Sequence, residues 1–129
     1  MQRPPNDICI DIETLDTEKS AVIVSIGAVI FNRADEPGTY IDEFHVKLDI
    51  ENQPGRTISP GTVKWWMGEG MEDARKAAFS IPKKEQVRLG LALKQLEDFM
   101  KKYHLAECWG NSPGFDMEIL EHAYRQHKV

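Results

Sequence analysis

The chain has 129 residues, of which 41% are hydrophobic and 29% are charged, close to the values of soluble globular proteins. This length suffices for one compact domain with a single core, without disulfides or a structural metal. No apolar run reaches the length of a membrane span, and the first residues lack a secretory h-region, so we expect a cytoplasmic protein with no membrane partner. The net charge of -5 argues against a protein that binds duplex DNA mainly through its phosphates, but it is compatible with an acidic site that binds cations.

The cysteines and histidines do not suggest a zinc site. Cys9 and Cys108 lie in short apolar segments without paired Cys/His spacing, and we expect reduced, buried thiols rather than a disulfide. His45 and His104 are interpreted as surface or hydrogen-bonded side chains.

The first third of the chain has the pattern of a β-sheet. Residues 7 to 13 alternate strictly, which predicts a strand with isoleucines on one face and polar residues on the other. Residues 21 to 31 form a β-branched run without clean alternation, which predicts a central strand covered on both faces. A third strand is expected from Tyr40 to Leu48, after a turn at Pro37-Gly38. Short connections between these strands predict an antiparallel meander.

Helices are predicted for most of the remaining chain. Apolar residues after Pro82 recur at spacings of four, three, four and three, which is typical of a helix that packs on a core. Trp65 and Trp66 are interpreted as packing residues of an earlier helix. The predicted elements are helices from Ser59-Pro60 to Gly68, over 71–79 and after Pro82, a short strand over 105–109, and a last helix from Ser112-Pro113. An α/β domain follows.

Asp11 and Glu13 are the first candidate metal ligands. They are two residues apart on one strand, so both side chains point to the same face, about 7 Å apart at the backbone, and can close around one cation. The pattern is common by itself, and a solvated strand end is then the simpler interpretation.

Asp116 is the third candidate. It lies in the first turn of the last helix and, with Leu120 and Ala123, follows the spacing of the side that packs inward. The alternative is a helix-dipole interaction worth less than about 1 kcal/mol, which would suit an exposed aspartate.

These motifs occur together with others in a fixed order: Asp11–Leu15, the strand 21–31, Thr62–Trp66 and Trp109–Asp116. The combination resembles the DnaQ-like, or DEDD, superfamily of 3′-to-5′ exonucleases. Within it, the chain is most similar to the short phage and enterobacterial enzymes of the exodeoxyribonuclease VIII type. The resemblance covers nearly the whole chain. It implies a ribonuclease-H-like fold, with a mixed sheet of three antiparallel strands and a further strand, flanked by helices.

The resemblance also implies roles for the carboxylates. Asp11 would bridge two Mg²⁺ or Mn²⁺ ions, Glu13 would hold the ion that activates the attacking water, and Asp116 would support the other ion. Two such ions stabilise the attacking and leaving oxygens of an in-line displacement.

Four further residues match substrate-binding positions of the superfamily. Thr14 and Leu15 would contact the terminal nucleotide, with Leu15 against the last base, although core packing is an equal alternative for Leu15. Asn111 and Phe115 would line the approach to Asp116, with a helix cap and a core aromatic as their alternatives.

One motif of the superfamily is not found after Asp116. Related enzymes continue through another strand and a helix that carries a His or Tyr general base five positions before a final Asp, whereas neither His122 nor His127 is followed by an Asp. We therefore expect a single domain over residues 1–129 that lacks its final strand and helix, and that binds metal weakly with little activity alone. An open sheet edge, if present, predicts self-association or a homodimer.

The expected function is a metal-dependent 3′-to-5′ exonuclease that releases nucleoside 5′-monophosphates from single-stranded DNA or RNA ends. The first alternative is a noncatalytic ribonuclease-H-like module that binds nucleic acid or a protein partner. The second is endonucleolytic cleavage or strand transfer, whose enzymes on this fold use other carboxylate spacings.

Overall fold

The structure, a computed structural model, describes residues 7–103, 106–110 and 115–127. Its elements follow one another as β1 (Asp7–Thr14), β2 (Ile23–Phe31), β3 (Asp42–Lys47), α1 (Pro60–Trp66), α2 (Glu72–Phe79), a 3₁₀ turn (Lys83–Glu85), α3 (Leu89–Lys101), β4 (Glu107–Gly110) and α4 (Phe115–His127). None of the described helices has both the length and the apolarity that crossing a membrane requires.

The four strands form one mixed sheet in the order β3-β2-β1-β4. β1 pairs with β2 and β2 with β3 in antiparallel fashion, whereas β4 runs parallel to β1. The predicted meander and the predicted mixed α/β fold are confirmed, and the topology is consistent with a ribonuclease-H-like fold. In the described part of the chain β4 pairs with β1 alone, and self-association through its outer edge stays a prediction.

One face of the sheet packs against α3 and α4 to form the main core. Ile10 of β1 and Leu96 of α3 are both fully buried, and Ile119 of α4 is 1% exposed. The strict alternation of β1 and the helical spacing after Pro82 predicted these contacts, because each pattern gathers its apolar side chains on one face.

A second, smaller cluster lies at the other side of the sheet. Leu15, Val22, Val24 and Trp66 are buried there, with Met71 packed against them. This cluster joins α1 to the chain that follows β1, and so it fixes α1 beside the end of that strand.

Two expectations about burial are corrected. Residues 23–26 are buried on both sides, but Gly27, Val29 and Phe31 are half-buried, since the second cluster covers only the first half of β2. Cys9 is half-buried and Cys108 is exposed, where buried thiols were expected, because Cys9 lies on the face of β1 opposite the isoleucines and β4 is the outermost strand of the described sheet; both thiols are free.

An ion pair with a buried carboxylate holds the start of β1 in place. Asp7 is completely buried and accepts two hydrogen bonds from the Arg33 side chain, at 2.7 Å and 3.2 Å, and a third from the Arg33 backbone N–H at 3.0 Å. The same guanidinium reaches Glu107 of β4 at 2.6 Å. These bonds connect β1, the β2–β3 turn and β4, which together position the candidate site.

Candidate active site

A cavity of about 690 Å³ lies beside β1, between α1 and the start of α4. This volume is within the range of about 300 to 1,000 Å³ that is usual for sites that bind small ligands. Its lining comes from three parts of the chain: Asp11, Ile12, Glu13, Thr14, Asp16 and Thr17 around the end of β1, Ser59, Gly61, Thr62 and Trp65 around α1, and Phe115 and Asp116 at the start of α4.

The three predicted carboxylates all line this cavity, although they come from opposite ends of the chain. Asp11 is exposed, Glu13 is half-buried and Asp116 is only 2% exposed. The parallel pairing of β4 with β1 explains how they meet, because β4 leads the chain to the start of α4 beside the carboxylates of β1.

The charges in this cavity disfavour one another. Burial raises the pKa of Glu13 above its ordinary value, and the negative charges of Asp11 and Asp116 raise it further. Burial also raises the pKa of the Cys9 thiol, and the same two aspartates add to that shift. The cavity is therefore a region of negative potential that a cation would stabilise.

The carboxylates share the cavity without forming a preassembled three-ligand cluster. Across the described ranges, no group of three or more His, Cys, Asp or Glu side chains is placed to hold a metal ion. Like charges disfavour close approach, so bringing these carboxylates around one point would require a cation to offset their repulsion. The donor set itself fits hard divalent cations, because Mg²⁺ and Mn²⁺ prefer carboxylate oxygens.

The predicted substrate-binding residues have different surroundings. Thr14 and Phe115 line the cavity, and the hydroxyl of Thr14 donates a hydrogen bond to the backbone oxygen of Asp16 at 2.7 Å. Leu15 is 7% exposed and packs in the second cluster, the arrangement that its core-packing alternative describes. Asn111 lies outside the described residues.

The part of the cavity wall formed by α1 and the residue before it was not predicted from the sequence, because none of its lining residues is among the predicted site residues. Trp65 was interpreted as a packing residue, and this is wrong because its side chain is 57% exposed and lines the cavity. Trp66 does pack, being 4% exposed. Consecutive helix residues point about 100° apart, so both indoles could not face one core, and this geometry was the available signal.

Asp16 also lines the cavity, but its contacts hold the loop after β1. It accepts hydrogen bonds from the Thr57 hydroxyl at 2.5 Å and from the backbone N–H of Thr17 at 2.7 Å. The Thr57 bond, together with the backbone bonds, lowers the pKa of Asp16. Its charge is therefore used locally, and we do not count it among the candidate metal ligands.

The comparison with protein families identifies one family. The model of a family described as "3′-5′ exoribonuclease Rv2179c-like domain" matches residues 6–129, which include Asp11, Glu13 and Asp116. No curated protein matches the chain.

Proposed function

This chain belongs to the Rv2179c-like 3′-5′ exoribonuclease domain family, and on that premise we propose that it removes nucleotides from the 3′ end of single-stranded RNA with divalent metal ions. The products would be nucleoside 5′-monophosphates. The choice of RNA over DNA rests on the description of the family. One observation carries the rest: two acidic residues of β1 and one of α4 line a single cavity, where two of them raise the pKa of the third.

In this proposal Asp11, Glu13 and Asp116 hold two Mg²⁺ or Mn²⁺ ions, as in the DnaQ-like enzymes that the motifs resemble. When bound, such ions supply the positive charge that stabilises the attacking and leaving oxygens of a phosphodiester. Asp116 is fixed by the burial of α4, whereas exposed Asp11 can move toward a cation. Cation binding would thus bring these three ligands together.

Thr14 and Phe115 are the proposed substrate contacts inside the cavity. The Thr14 backbone oxygen accepts a hydrogen bond from the Trp66 indole at 2.9 Å, so the end of β1 is held where a terminal nucleotide would lie. Leu15 would support this end of the strand from beneath, and Asn111 remains a proposed contact from the sequence motif.

The direct test uses a short single-stranded RNA labelled at its 5′ end, with Mn²⁺, Mg²⁺ or a chelator. We expect slow stepwise shortening from the 3′ end with Mn²⁺ or Mg²⁺, because the sequence predicts weak metal binding and little activity for this chain, and none with the chelator. Loss of a residue that supports a metal ligand typically lowers activity by roughly 10- to 100-fold, and loss of the ligand itself should lower it further. Asp11→Asn, Glu13→Gln and Asp116→Asn should therefore each lower the rate by more than about 100-fold.

The matched control for these variants is Glu36→Gln, which removes one exposed carboxylate outside the cavity and should leave the rate unchanged. Internal fragments in place of single-nucleotide steps would contradict the proposal and support endonucleolytic cleavage. The same assay on DNA of equal sequence tests the choice of sugar.

A second candidate is a noncatalytic module that binds nucleic acid or a protein partner. The lack of a preassembled three-ligand group among the described residues favours it. Calorimetry with Mn²⁺ separates the two candidates, because an exonuclease site must bind the ion and lose affinity in Asp11→Asn. No binding by the original chain, with no change of stability in the variant, would support the module.

A further inference from the structure

Trp65 is a large aromatic side chain that the core does not use. It is 57% exposed, although it belongs to α1 and directly precedes the buried Trp66. Burial of an indole is strongly favourable, so an exposed one that lines a cavity indicates a surface on which a ligand packs. The cavity in question is the one that contains Asp11, Glu13 and Asp116.

The position of this indole is fixed by contacts with the core. The rings of Trp65 and Trp66 meet edge to face, with their centroids 5.3 Å apart and their planes at 81°. Trp66 in turn packs on Phe79 at 5.1 Å and donates its indole hydrogen bond to the Thr14 oxygen at 2.9 Å. The contact with Trp66 therefore supports one side of the Trp65 ring and lowers the cost of ordering it against a ligand.

α1 is also tied to the strand that carries the carboxylates. The backbone N–H of Ser59, the residue that caps α1, donates to the Leu15 oxygen at 2.9 Å. Together with the bond from Trp66 to Thr14, this gives α1 two backbone connections to the end of β1. The fold therefore holds the backbone of α1, which carries Trp65, beside the end of β1, which carries Asp11 and Glu13.

The two kinds of lining match the two parts of a nucleotide. Carboxylates attract a phosphate once cations neutralise them, and an aromatic face attracts the flat face of a base. We propose that Trp65 is the platform on which the base of the 3′-terminal nucleotide stacks while its phosphate lies at Asp11, Glu13 and Asp116. This inference rests on the proposed function and adds a substrate-binding residue to it.

Stacking on a bare indole face tolerates every base, because each base has a π-face. It does require that the base be unpaired, since a base within a duplex is already stacked between its neighbours. Trp65 would therefore select for single-stranded ends without selecting a sequence.

The test compares two ligands that differ only in the base: adenosine 5′-monophosphate and ribose 5-phosphate, each titrated in the presence of Mn²⁺. The original chain should bind the nucleotide more tightly by about 5- to 150-fold, the range expected for one stacked base. Trp65→Leu should remove this difference and leave the affinity for ribose 5-phosphate unchanged. Trp65→Phe, which keeps an aromatic ring, should recover part of it.

Tyr40→Leu is the matched control, because Tyr40 is 59% exposed and lies outside the cavity. It should leave both affinities unchanged, and thermal unfolding of each variant verifies that the fold is kept. An equal preference for the nucleotide in the original chain and in Trp65→Leu, with Mn²⁺ binding intact, would overturn the stacking inference and leave the proposed function standing.

Failure of the original chain to bind Mn²⁺ would instead remove the proposed function, and this inference with it. An exposed indole could instead form a contact between two copies of the chain. Sedimentation of Trp65→Leu and of the original chain tests this alternative. Loss of self-association without any change in nucleotide affinity would assign Trp65 to that contact and overturn the inference.

Discussion

The repulsion between the carboxylates of β1 should lower the free energy of unfolding, and the substitution Glu13→Gln measures this effect. The variant keeps the size of the side chain and removes its charge. Because Glu13 has a raised pKa, the folded state holds its proton more tightly than the unfolded state does. The associated stability is fully present below the ordinary pKa of 4.5 and is lost as the pH rises through the folded value. At neutral pH Glu13→Gln should therefore be more stable than the original chain.

The magnitude follows from the spacing of the two charges. Residues two apart on a strand lie about 7 Å apart, so their repulsion is about 2.4 kcal/mol at an effective dielectric constant of 20 and about 0.6 kcal/mol in water. Asp11 is exposed and solvent screens it, so we expect a gain of about 1 kcal/mol. For a chain of this length that gain corresponds to roughly 4 °C in Tm.

The assay is urea unfolding in a chelator at about pH 7 and again at about pH 4, where protonation of Glu13 removes most of the difference. Adding Mn²⁺ should reverse the order of stability, because the ion stabilises the original chain and binds the variant poorly. Glu36→Gln should show neither effect. A variant less stable than the original chain in the chelator at neutral pH would refute the reasoning, since Glu13 would then be a stabilising structural group.

Three further changes test the surrounding structure. Asp7→Asn removes the charge from a completely buried carboxylate that accepts hydrogen bonds from Arg33, and it should lower the free energy of unfolding by about 2 kcal/mol in urea titrations. Burial and the nearby charge of Arg56 lower the pKa of His122 from 6.5, so its contribution to stability is present above that pH and is lost as the pH falls. His122→Gln should therefore lose less stability than the original chain between about pH 7.5 and 5.5, and an equal loss would assign the dependence to other groups. Trp66→Phe removes the hydrogen bond to Thr14 and should destabilise the fold by about 1 to 3 kcal/mol; unchanged stability would mean that the bond is dispensable.

The helices and strands of this fold were predictable from local sequence patterns. Only some of the residues that line the cavity were predictable in this way. The alternation of residues 7 to 13 and the helical spacing after Pro82 fix which side chains face the core, whatever the rest of the chain does. The inward position of Asp116 followed from the same reasoning, and its burial confirms it. Periodicity therefore placed the carboxylates on the correct faces of β1 and α4.

The wall formed by α1 depends on contacts that leave no local pattern. Trp66 is drawn into the second cluster through its bond to Thr14, and this contact turns Trp65 toward the cavity. The likeness of the two indoles hid their difference, because composition treats both as apolar. The position of Leu15 has the same origin, since its burial depends on the cluster that α1 completes.

The contrast between the carboxylates suits the proposed dependence of the site on a cation. Asp116 is buried in the packed start of α4, so its position is set by the core. Asp11 is exposed on β1 and can separate from its neighbours when no ion is present. A cation in the cavity would offset the repulsion between the carboxylates, which contributes to the raised pKa of Glu13. The free energy of cation binding would then bring together side chains that do not form a three-ligand group in the described residues.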